Sequence, residues 1–475
     1  MREEILRFVT DRLWLFVGLI IGTILYFVPH PEGLSPEGWN TLIIAIVATL
    51  YFITAPVPLP AVGLMIVIAQ ILLRVLPSEN PFPYKEVARS FWTDSVFFIT
   101  GSLMLAQAIV KQRLDKRIAY TMMRLVGTRT HWVSLGLIVT SALIASFIGE
   151  HTVAAMLLPV VITLVTLSYP ERRAPKAFSA LLLFSVSYGC SIAGIGTISG
   201  GARNAIMIDY WSTMFGKNVS YGMWMTYCYP IVLIQIPVLW GILYYTFRPE
   251  LRDLSSAYES LKGTIAEEGP LRPKAKFAIG LFLLVLLMWI TLSDKIGLGN
   301  IAIIGATLYL CFGLVEWEDI SRGVNWGVVF LYAAAISLGN AMDQTGAAKW
   351  VALTFLKALA PLGFNTGIPL LGAIGVLVGG ITNTMSNGAA VAVLGPITLN
   401  MGIQSGTDIL HTGFATAIAS SFAYLTVIGT PACTIIYGSG LIDTKDFLRA
   451  GSKMFCASII IMLLFARIYW RIVLS

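Results

Sequence analysis

Ionisable side chains inside apolar sequence are the first candidates for chemistry in this chain. Glu150 and His151 interrupt one long apolar region, and Arg203 stands in another. Placing such a charge at the centre of a lipid bilayer costs about 2.5–3.5 kcal/mol, so it is retained only with a partner or a function. The imidazole of His151 can also become charged near neutral pH. These residue types indicate a site for ions.

Short polar side chains beside glycine and proline form a second group of candidates. They are Thr382, Ser386-Asn387-Gly388 and Thr430-Pro431. A helix that breaks inside a membrane leaves backbone groups without partners, which is tolerated only where they are buried in protein or line a cavity. Freed N–H groups then face an anion and freed carbonyls face a cation. Hydroxyl and amide oxygens would complete the coordination of a hard cation such as sodium. The alternative is that these residues only let helices pack closely.

The elements that position these residues must be membrane helices. Of the 475 residues, 57% are hydrophobic and 12% are charged, whereas soluble domains carry about 25% charged residues. The composition excludes a water-soluble enzyme and the disordered, collagen-like and disulfide-scaffold classes. We expect an all-α polytopic protein of the cell membrane with about eleven transmembrane helices. Two apolar stretches that contain Gly, Asn, Gln or Asp, 94–112 and 326–343, are expected to be re-entrant hairpins.

An internal repeat relates the two halves of the chain. Three elements recur in the same order, and they pair Phe97–Ala108 with Phe330–Ala341, Gly149–Pro159 with Ser386–Pro396, and Gly200–Asn204 with Gly429–Cys433. Repeats with interrupted hydrophobic segments in corresponding places are typical of secondary transporters. The repeat therefore favours a carrier over a passive channel.

These motifs resemble those of the divalent anion/sodium symporters, the sodium-dependent dicarboxylate, citrate and sulfate carriers. Ser386-Asn387-Gly388 is similar to a hairpin-tip Ser-Asn-Thr motif of that family, and Thr430-Pro431-Ala432-Cys433 to its Thr-Pro-Pro-Asn motif. The resemblance implies an inverted repeat, a homodimer, and a transport domain that moves past a scaffold domain like an elevator. The implied divisions are N-terminal scaffold helices at 1–92, a first repeat hairpin with transport helices at 93–246, a cytoplasmic linker at 247–276, second-half scaffold helices at 277–325, and a second repeat hairpin with transport helices at 326–475.

The resemblance also implies the roles of residues in the second half. A sodium ion would be held by the side chains of Thr382 and Asn387 and by the carbonyls of Met385 and Gly429. A substrate carboxylate would meet a set of residues that follow the two motifs, namely Ser386, Asn387, Gly388, Thr430 and Pro431. Gly388 replaces the family's threonine, which we expect to remove a hydroxyl and leave more room.

The first half departs from the family pattern. Gly149-Glu150-His151 stands in place of Ser-Asn-Thr, and Gly200 to Asn204 in place of Gly-Thr-Pro-Pro-Asn. We expect Glu150 and Arg203 to form an ion pair, with the guanidinium standing in for the first sodium ion. The substrate would then meet residues of both diverged motifs, namely Glu150, His151, Thr152, Arg203 and Asn204. Alternatively, Glu150 binds a proton or sodium and Arg203 binds the anion, or the pair only locks the hairpin.

The predicted function is secondary active transport of a small divalent anion, with C4-dicarboxylate ahead of citrate and sulfate. Sodium symport through the second site, proton-coupled uptake and anion exchange remain open. An intramembrane enzyme is disfavoured, because the sequence carries neither a His-Glu-x-x-His nor a Gly-x-Ser-x-Gly pattern. The expected partners are the anionic solute, sodium, the lipid bilayer and a second copy of the chain, with no organic cofactor and no nucleic acid.

Overall fold

The regular structure of this protein is helical. The computed structural model describes residues 12–78, 80, 82–112, 115–169, 175–268 and 270–474, and no β-strand forms among them. The first half contains α1 (Leu13–Phe27), α2 (Pro36–Thr54), α3 (Leu59–Leu72), α4 (Tyr84–Phe91), α5 (Asp94–Val110), α6 (Asp115–Val126), α7 (Thr130–Ile148), α8 (Glu150–Ser168), α9 (Lys176–Ala193), a 3-10 turn (Ile198–Gly200), α10 (Ala202–Phe215) and α11 (Tyr221–Thr246).

The polar stretch and the second half contain the remaining helices. They are α12 (Ser255–Glu268), α13 (Pro273–Ile296), α14 (Leu298–Cys311), α15 (Trp317–Gly323), α16 (Trp326–Gln344), α17 (Ala347–Leu359), a 3-10 turn (Ala360–Leu362), α18 (Gly367–Thr382), α19 (Asn387–Ser405), α20 (Ile409–Ala419), α21 (Pro431–Tyr437), α22 (Thr444–Arg467) and α23 (Tyr469–Leu474).

Many of these helices suit a bilayer, which confirms the expected all-α membrane fold. Within the described ranges, eight helices are long and apolar enough to span, or up to ten if each of two bent helix pairs is a single span. Four further helices (α1, α3, α14 and α20) are apolar but shorter. The sequence predicts about eleven spans. The spans differ in environment: the apolar window of α9 is 89% buried, whereas those of α13 and α22 are 28% buried. α9 therefore lies inside the protein, and α13 and α22 expose leucine and isoleucine at the protein surface.

The re-entrant hairpins predicted at 94–112 and 326–343 were placed wrongly. α5 runs unbroken from Asp94 to Val110, and α16 runs unbroken from Trp326 to Gln344. The glycines in these helices are contact points, because a Cβ at Gly101 would lie 2.5 Å from Ala302 and one at Gly339 would lie 2.1 Å from the Tyr210 hydroxyl. Small residues here let neighbouring helices approach closely and do not interrupt the helix.

The helix breaks that matter lie instead between α7 and α8 and between α18 and α19. In each pair the two helices pack against one another. Gly149 separates α7 from α8 with φ +94°, a conformation that glycine adopts without strain. At the second break, Ser386 is the N-cap residue of α19, because its hydroxyl accepts a hydrogen bond from the backbone N–H of Ala389. α8 and α19 have 19 residues each and carry a proline at the same place, Pro159 and Pro396. The second pair of repeated segments found in the sequence thus recurs in the structure.

The third element of the repeat forms a second type of break. α9 ends at Ala193 and α10 begins at Ala202, while α20 ends at Ala419 and α21 begins at Pro431. α21 packs against α8 and α9, so helices of the two halves meet at these interruptions.

The polar stretch between the halves contacts the first half of the chain. It contains α12, and its backbone pairs with the start of α7 and the loop before it: Thr130 N–H donates to the carbonyl of Arg252 at 3.0 Å, and Leu254 N–H donates to the carbonyl of Thr128 at 2.8 Å. The stretch therefore contacts the start of α7, the first helix of the α7–α8 hairpin.

Candidate functional site

The four interrupted segments bring four helix beginnings together. Glu150 is the first residue of α8 and Asn387 the first residue of α19, while Arg203 lies in the first turn of α10 and Thr430 directly precedes α21. Hydrogen bonds connect all four side chains. Residues from both halves of the chain, up to 280 positions apart, thus form one cluster.

One carboxylate oxygen is the centre of this cluster. Glu150 Oε1 accepts from Asn387 Nδ2 at 2.9 Å, from Thr430 Oγ1 at 3.0 Å and from Arg203 Nη1 at 3.4 Å. The contact with Arg203 is the expected ion pair, but it is the longest of the three. The glutamate is therefore held more closely by the second half of the chain than by the arginine.

The cluster is shielded from solvent. Glu150 is 6% exposed and Arg203 2% exposed. Glu150 Oε2 and Arg203 Nε and Nη2 are buried and have no hydrogen-bond partner among the described residues. Desolvation of a buried ion pair can outweigh its attraction, so the pair is weak evidence for stability. Both charged residues therefore keep buried polar atoms that the ion pair does not satisfy.

The guanidinium of Arg203 lies against a glycine-containing loop. A Cβ at Gly194 would lie 2.4 Å from Nη2, and one at Gly201 would lie 2.8 Å from Nη1, so a larger residue at either position would displace the guanidinium. Asn204 fixes the loop, because its Nδ2 donates to the carbonyls of Gly194 at 2.7 Å and Thr197 at 2.8 Å. The loop thus holds a fixed positive charge beside Glu150.

In the second half, three oxygen atoms crowd together. Thr382 Oγ1 lies 2.9 Å from Asn387 Oδ1 and 2.8 Å from the carbonyl oxygen of Ser420. A hydroxyl has a single proton, so Thr382 can fully satisfy only one of these two acceptors. Met385 and Gly429, the other predicted sodium ligands, are buried; Met385 lies two residues before Asn387, and Gly429 directly precedes Thr430. The oxygen-rich set suits a hard cation such as sodium.

The remaining predicted substrate residues differ in their surroundings. Thr152 is buried, His151 and Ser386 are half-buried, and Pro431 is exposed. The amide nitrogen of Asn204 is already used by the loop described above, while its Oδ1 is buried and has no hydrogen-bond partner among the described residues. The room expected at Gly388 is not there, because a Cβ at this position would lie 2.2 Å from the ring of Tyr332. The aromatic ring fills the space that a threonine side chain would need, which corrects that expectation.

Comparison with known protein families places the whole chain. Residues 10–475 match the family described as the sodium:sulfate symporter transmembrane region. The chain belongs to the sodium:sulfate symporter family. The resemblance found in the motifs is thereby confirmed over nearly the whole chain.

Curated relatives and solved structures agree with this membership. The sodium-dependent dicarboxylate transporter SdcS of Staphylococcus aureus is 26% identical in strain bovine RF122 / ET3-1 and 25% identical in strain NCTC 8325, over 97% of this chain and 92% of SdcS in both cases. The YdaH transporter of Alcanivorax borkumensis, with 13% identity, matches 87% of this chain and 99% of its own with a TM-score of 0.59. Neisseria gonorrhoeae MtrF, with 11% identity, matches 88% of this chain and 97% of its own with a TM-score of 0.58. These two structures share the fold.

Several residues of this family member went unnoticed in the sequence. Asn383 ties the second hairpin tip to the broken segment after α20: it donates to the Phe422 carbonyl at 3.0 Å and accepts from Leu425 N–H at 2.7 Å. The carbonyl of Ser420 and the ring of Tyr332 were also missed. The position of Asn383 beside the Ser-Asn motif was the only signal, since a backbone carbonyl carries none in the sequence.

Proposed function

We propose that this protein is a secondary active transporter of a small divalent anion, with C4-dicarboxylate as the substrate class. The observation that carries the proposal is the buried meeting of Glu150, Arg203, Asn387 and Thr430 at four helix breaks from both halves. Its donors are those that bind a carboxylate: an amide N–H₂, a hydroxyl and a guanidinium. The 26% identity with a sodium-dependent dicarboxylate transporter over 97% of the chain supports this substrate class.

The second half would bind the coupling sodium ion. The oxygens of Thr382 and Asn387 and the carbonyl of Ser420 would be ligands, together with the carbonyls of Met385 and Gly429. Asn387 would serve both sites, because its Oδ1 faces Thr382 and its Nδ2 faces Glu150. Sodium binding would orient this amide and so favour binding of the anion.

In the first half, Arg203 would replace the first sodium ion as a fixed cation. Its guanidinium lies in the loop that contains Gly194 and Gly201, beside the break that carries Glu150. A charge that is part of the chain accompanies every step and cannot be released on the far side. The carrier would therefore couple to fewer sodium ions than a family member with two sodium sites.

This feature also favours a second candidate, anion exchange. With a fixed cation at one sodium site, exchange of one dianion for another requires less help from an ion gradient. In either mode we propose a homodimer in the cell membrane, with the expected scaffold and transport divisions at 1–92, 93–246, 247–276, 277–325 and 326–475. The inverted repeat and the elevator-like displacement of the transport helices belong to the same proposal.

Uptake into proteoliposomes tests the proposal. Radiolabelled succinate, citrate and sulfate are each offered with an inward sodium gradient, with sodium absent, and with unlabelled substrate inside the vesicles. Sodium-stimulated succinate uptake is the expected result, and uptake that requires only internal substrate would identify exchange. No accumulation of any of the three anions in any condition would refute transport of a small dianion.

A further inference from the structure

We propose that Glu150 is a tethered carboxylate that occupies the anion subsite of the substrate-free carrier and leaves it when a substrate carboxylate binds. This inference rests on the proposed function, because it names the residue that competes with the substrate at that site. The ion pair expected from the sequence assigns Glu150 the role of neutralising Arg203. The present proposal adds that its carboxylate is an internal ligand, which competes with the substrate for the same donors.

The geometry shows where the carboxylate is directed. Oε1 of Glu150 is closer to Asn387 Nδ2, at 2.9 Å, and to Thr430 Oγ1, at 3.0 Å, than to Arg203 Nη1, at 3.4 Å. A glutamate that only neutralised the arginine would favour a short, two-pronged contact with it. Instead, Glu150 reaches across the interface between the halves and is held by donors of the second half.

Competition follows from the chemistry of the donors. The hydroxyl of Thr430 has one proton, which it gives to Glu150, so it cannot also donate to a second carboxylate. Two like-charged carboxylates at the same donors would also repel one another strongly in a buried site. A substrate carboxylate that uses Thr430 must therefore displace that of Glu150.

The glutamate is attached in a way that permits displacement. Its second oxygen, Oε2, has no partner among the described residues, so only Oε1 holds the carboxylate in place. The preceding Gly149 has no side chain to block the glutamate, and the imidazole carbon Cε1 of His151 stays 3.7 Å from the position of a Cβ there. Displacement therefore has to break the contacts of only one carboxylate oxygen.

The tether has a consequence for the transport cycle. In the substrate-free carrier, Glu150 and Arg203 compensate one another, so no uncompensated charge is buried. If the carboxylate is removed, the guanidinium is left alone in a buried site, which costs several kcal/mol unless an anion binds. Variants without it should exchange anions but lose net uptake, because the empty form becomes unfavourable.

The test uses acetate as a minimal carboxylate and the full-length protein in detergent. Acetate affinity is measured from the dependence of the melting temperature on acetate concentration, for wild type and for Glu150→Ala, Glu150→Ser and Glu150→Gln. Glu318→Ala is the control, since the side chain of Glu318 is 65% exposed. We expect both truncations to bind acetate at least about tenfold more tightly than wild type, the worth of one charge-assisted hydrogen bond.

The glutamine variant separates occupancy from charge. It is as neutral as the truncations, but its side-chain oxygen can still accept from Asn387 and Thr430. We expect its acetate affinity to lie between those of wild type and Glu150→Ala. Equal affinities in Gln, Ala and Ser variants would show a charge effect alone and overturn the proposal, as would truncations that bind acetate no better than Glu318→Ala.

The serine variant replaces the alanine variant in this test if the alanine variant does not fold.

Failure of the proposed function gives a different pattern. Wild-type protein would then take up none of the three dianions, while the truncations could still bind acetate. If wild type transports succinate and the truncations gain no acetate affinity, only the tether is refuted.

Discussion

Replacing Arg203 by alanine removes the cation beside a buried carboxylate. The side chains of Arg203 and Glu150 are 2% and 8% exposed, and their closest atoms are 3.4 Å apart. Breaking a buried ion pair by removing one partner typically costs about 3–5 kcal/mol. Glu150 keeps its hydrogen bonds with Asn387 and Thr430. We therefore expect a cost at the lower end for Arg203→Ala, about 3 kcal/mol.

The double variant Glu150→Gln/Arg203→Ala should recover part of this loss. With the carboxylate neutral, no uncompensated charge remains in the site. Contacting charged residues show interaction energies of about 0.5–3 kcal/mol in double-mutant cycles, and burial places this pair in the upper half of that range. Glu150→Gln alone should also destabilise the protein, because it leaves the guanidinium unpaired.

The assay is reversible unfolding of the purified protein in mixed detergent micelles. The free energy of unfolding is measured for wild type, both single variants and the double variant, which together give the interaction energy. The control is the cycle of Glu318→Ala and Arg322→Ala, whose charged atoms are closer, at 2.5 Å, but whose side chains are 65% and 79% exposed. Exposed pairs contribute about 0–1 kcal/mol. A coupling between Glu150 and Arg203 no larger than the control would refute the reasoning from burial, and so would a double variant as unstable as the sum of its singles.

Three further substitutions test other parts of the site. Thr382→Val should raise the sodium concentration for half-maximal uptake about tenfold, because one contact with a charged ion is lost. The control Thr384→Val, at the exposed side of the same tip, should leave this concentration unchanged. The same sodium concentration in both variants would exclude Thr382 as a ligand. Gly388→Thr, which restores the residue of the family motif, should destabilise the protein by about 1–3 kcal/mol through overpacking against Tyr332, measured by unfolding, and an unchanged stability would contradict the close contact. Asn204→Asp keeps the shape but loses two amide hydrogen bonds, so about 1–3 kcal/mol of stability should be lost; a neutral effect in the same unfolding assay would show that Asn204 does not hold its loop.

The meeting of charged residues was predictable, because intramembrane charges need partners. That rule, together with the motifs, led from the sequence to Glu150 and Arg203. Thr382 and Asn387 were found for a similar reason, since a motif records side-chain oxygens. The sequence was thus informative for charged side chains and for those inside a motif, whereas the side chains of Asn383 and Tyr332, which lie outside the motifs, were missed.

The positions of the hairpins could not be read in the same way. A glycine that breaks a helix, such as Gly149, and one that accepts a neighbouring ring, such as Gly339, look alike in a sequence. Both need the absence of a side chain, and only the packing partner distinguishes them. The clash at Gly388 was missed for the same reason, because Tyr332 lies 56 positions away in the chain (388 minus 332). Backbone ligands such as the Ser420 carbonyl have no side-chain signature at all.

The arginine enclosed by the loop of Gly194 and Gly201 has a thermodynamic consequence in its proposed role. A carrier concentrates its cargo only by dissipating the gradients of species that cross with it and are released, whereas a guanidinium bonded to the polypeptide returns with the carrier and makes no net crossing. For a tenfold sodium gradient, each sodium ion that is replaced lowers the attainable accumulation ratio about tenfold, equivalent to 1.4 kcal/mol. In this role the arginine would lower the attainable accumulation of substrate, and each transport cycle would consume fewer sodium ions.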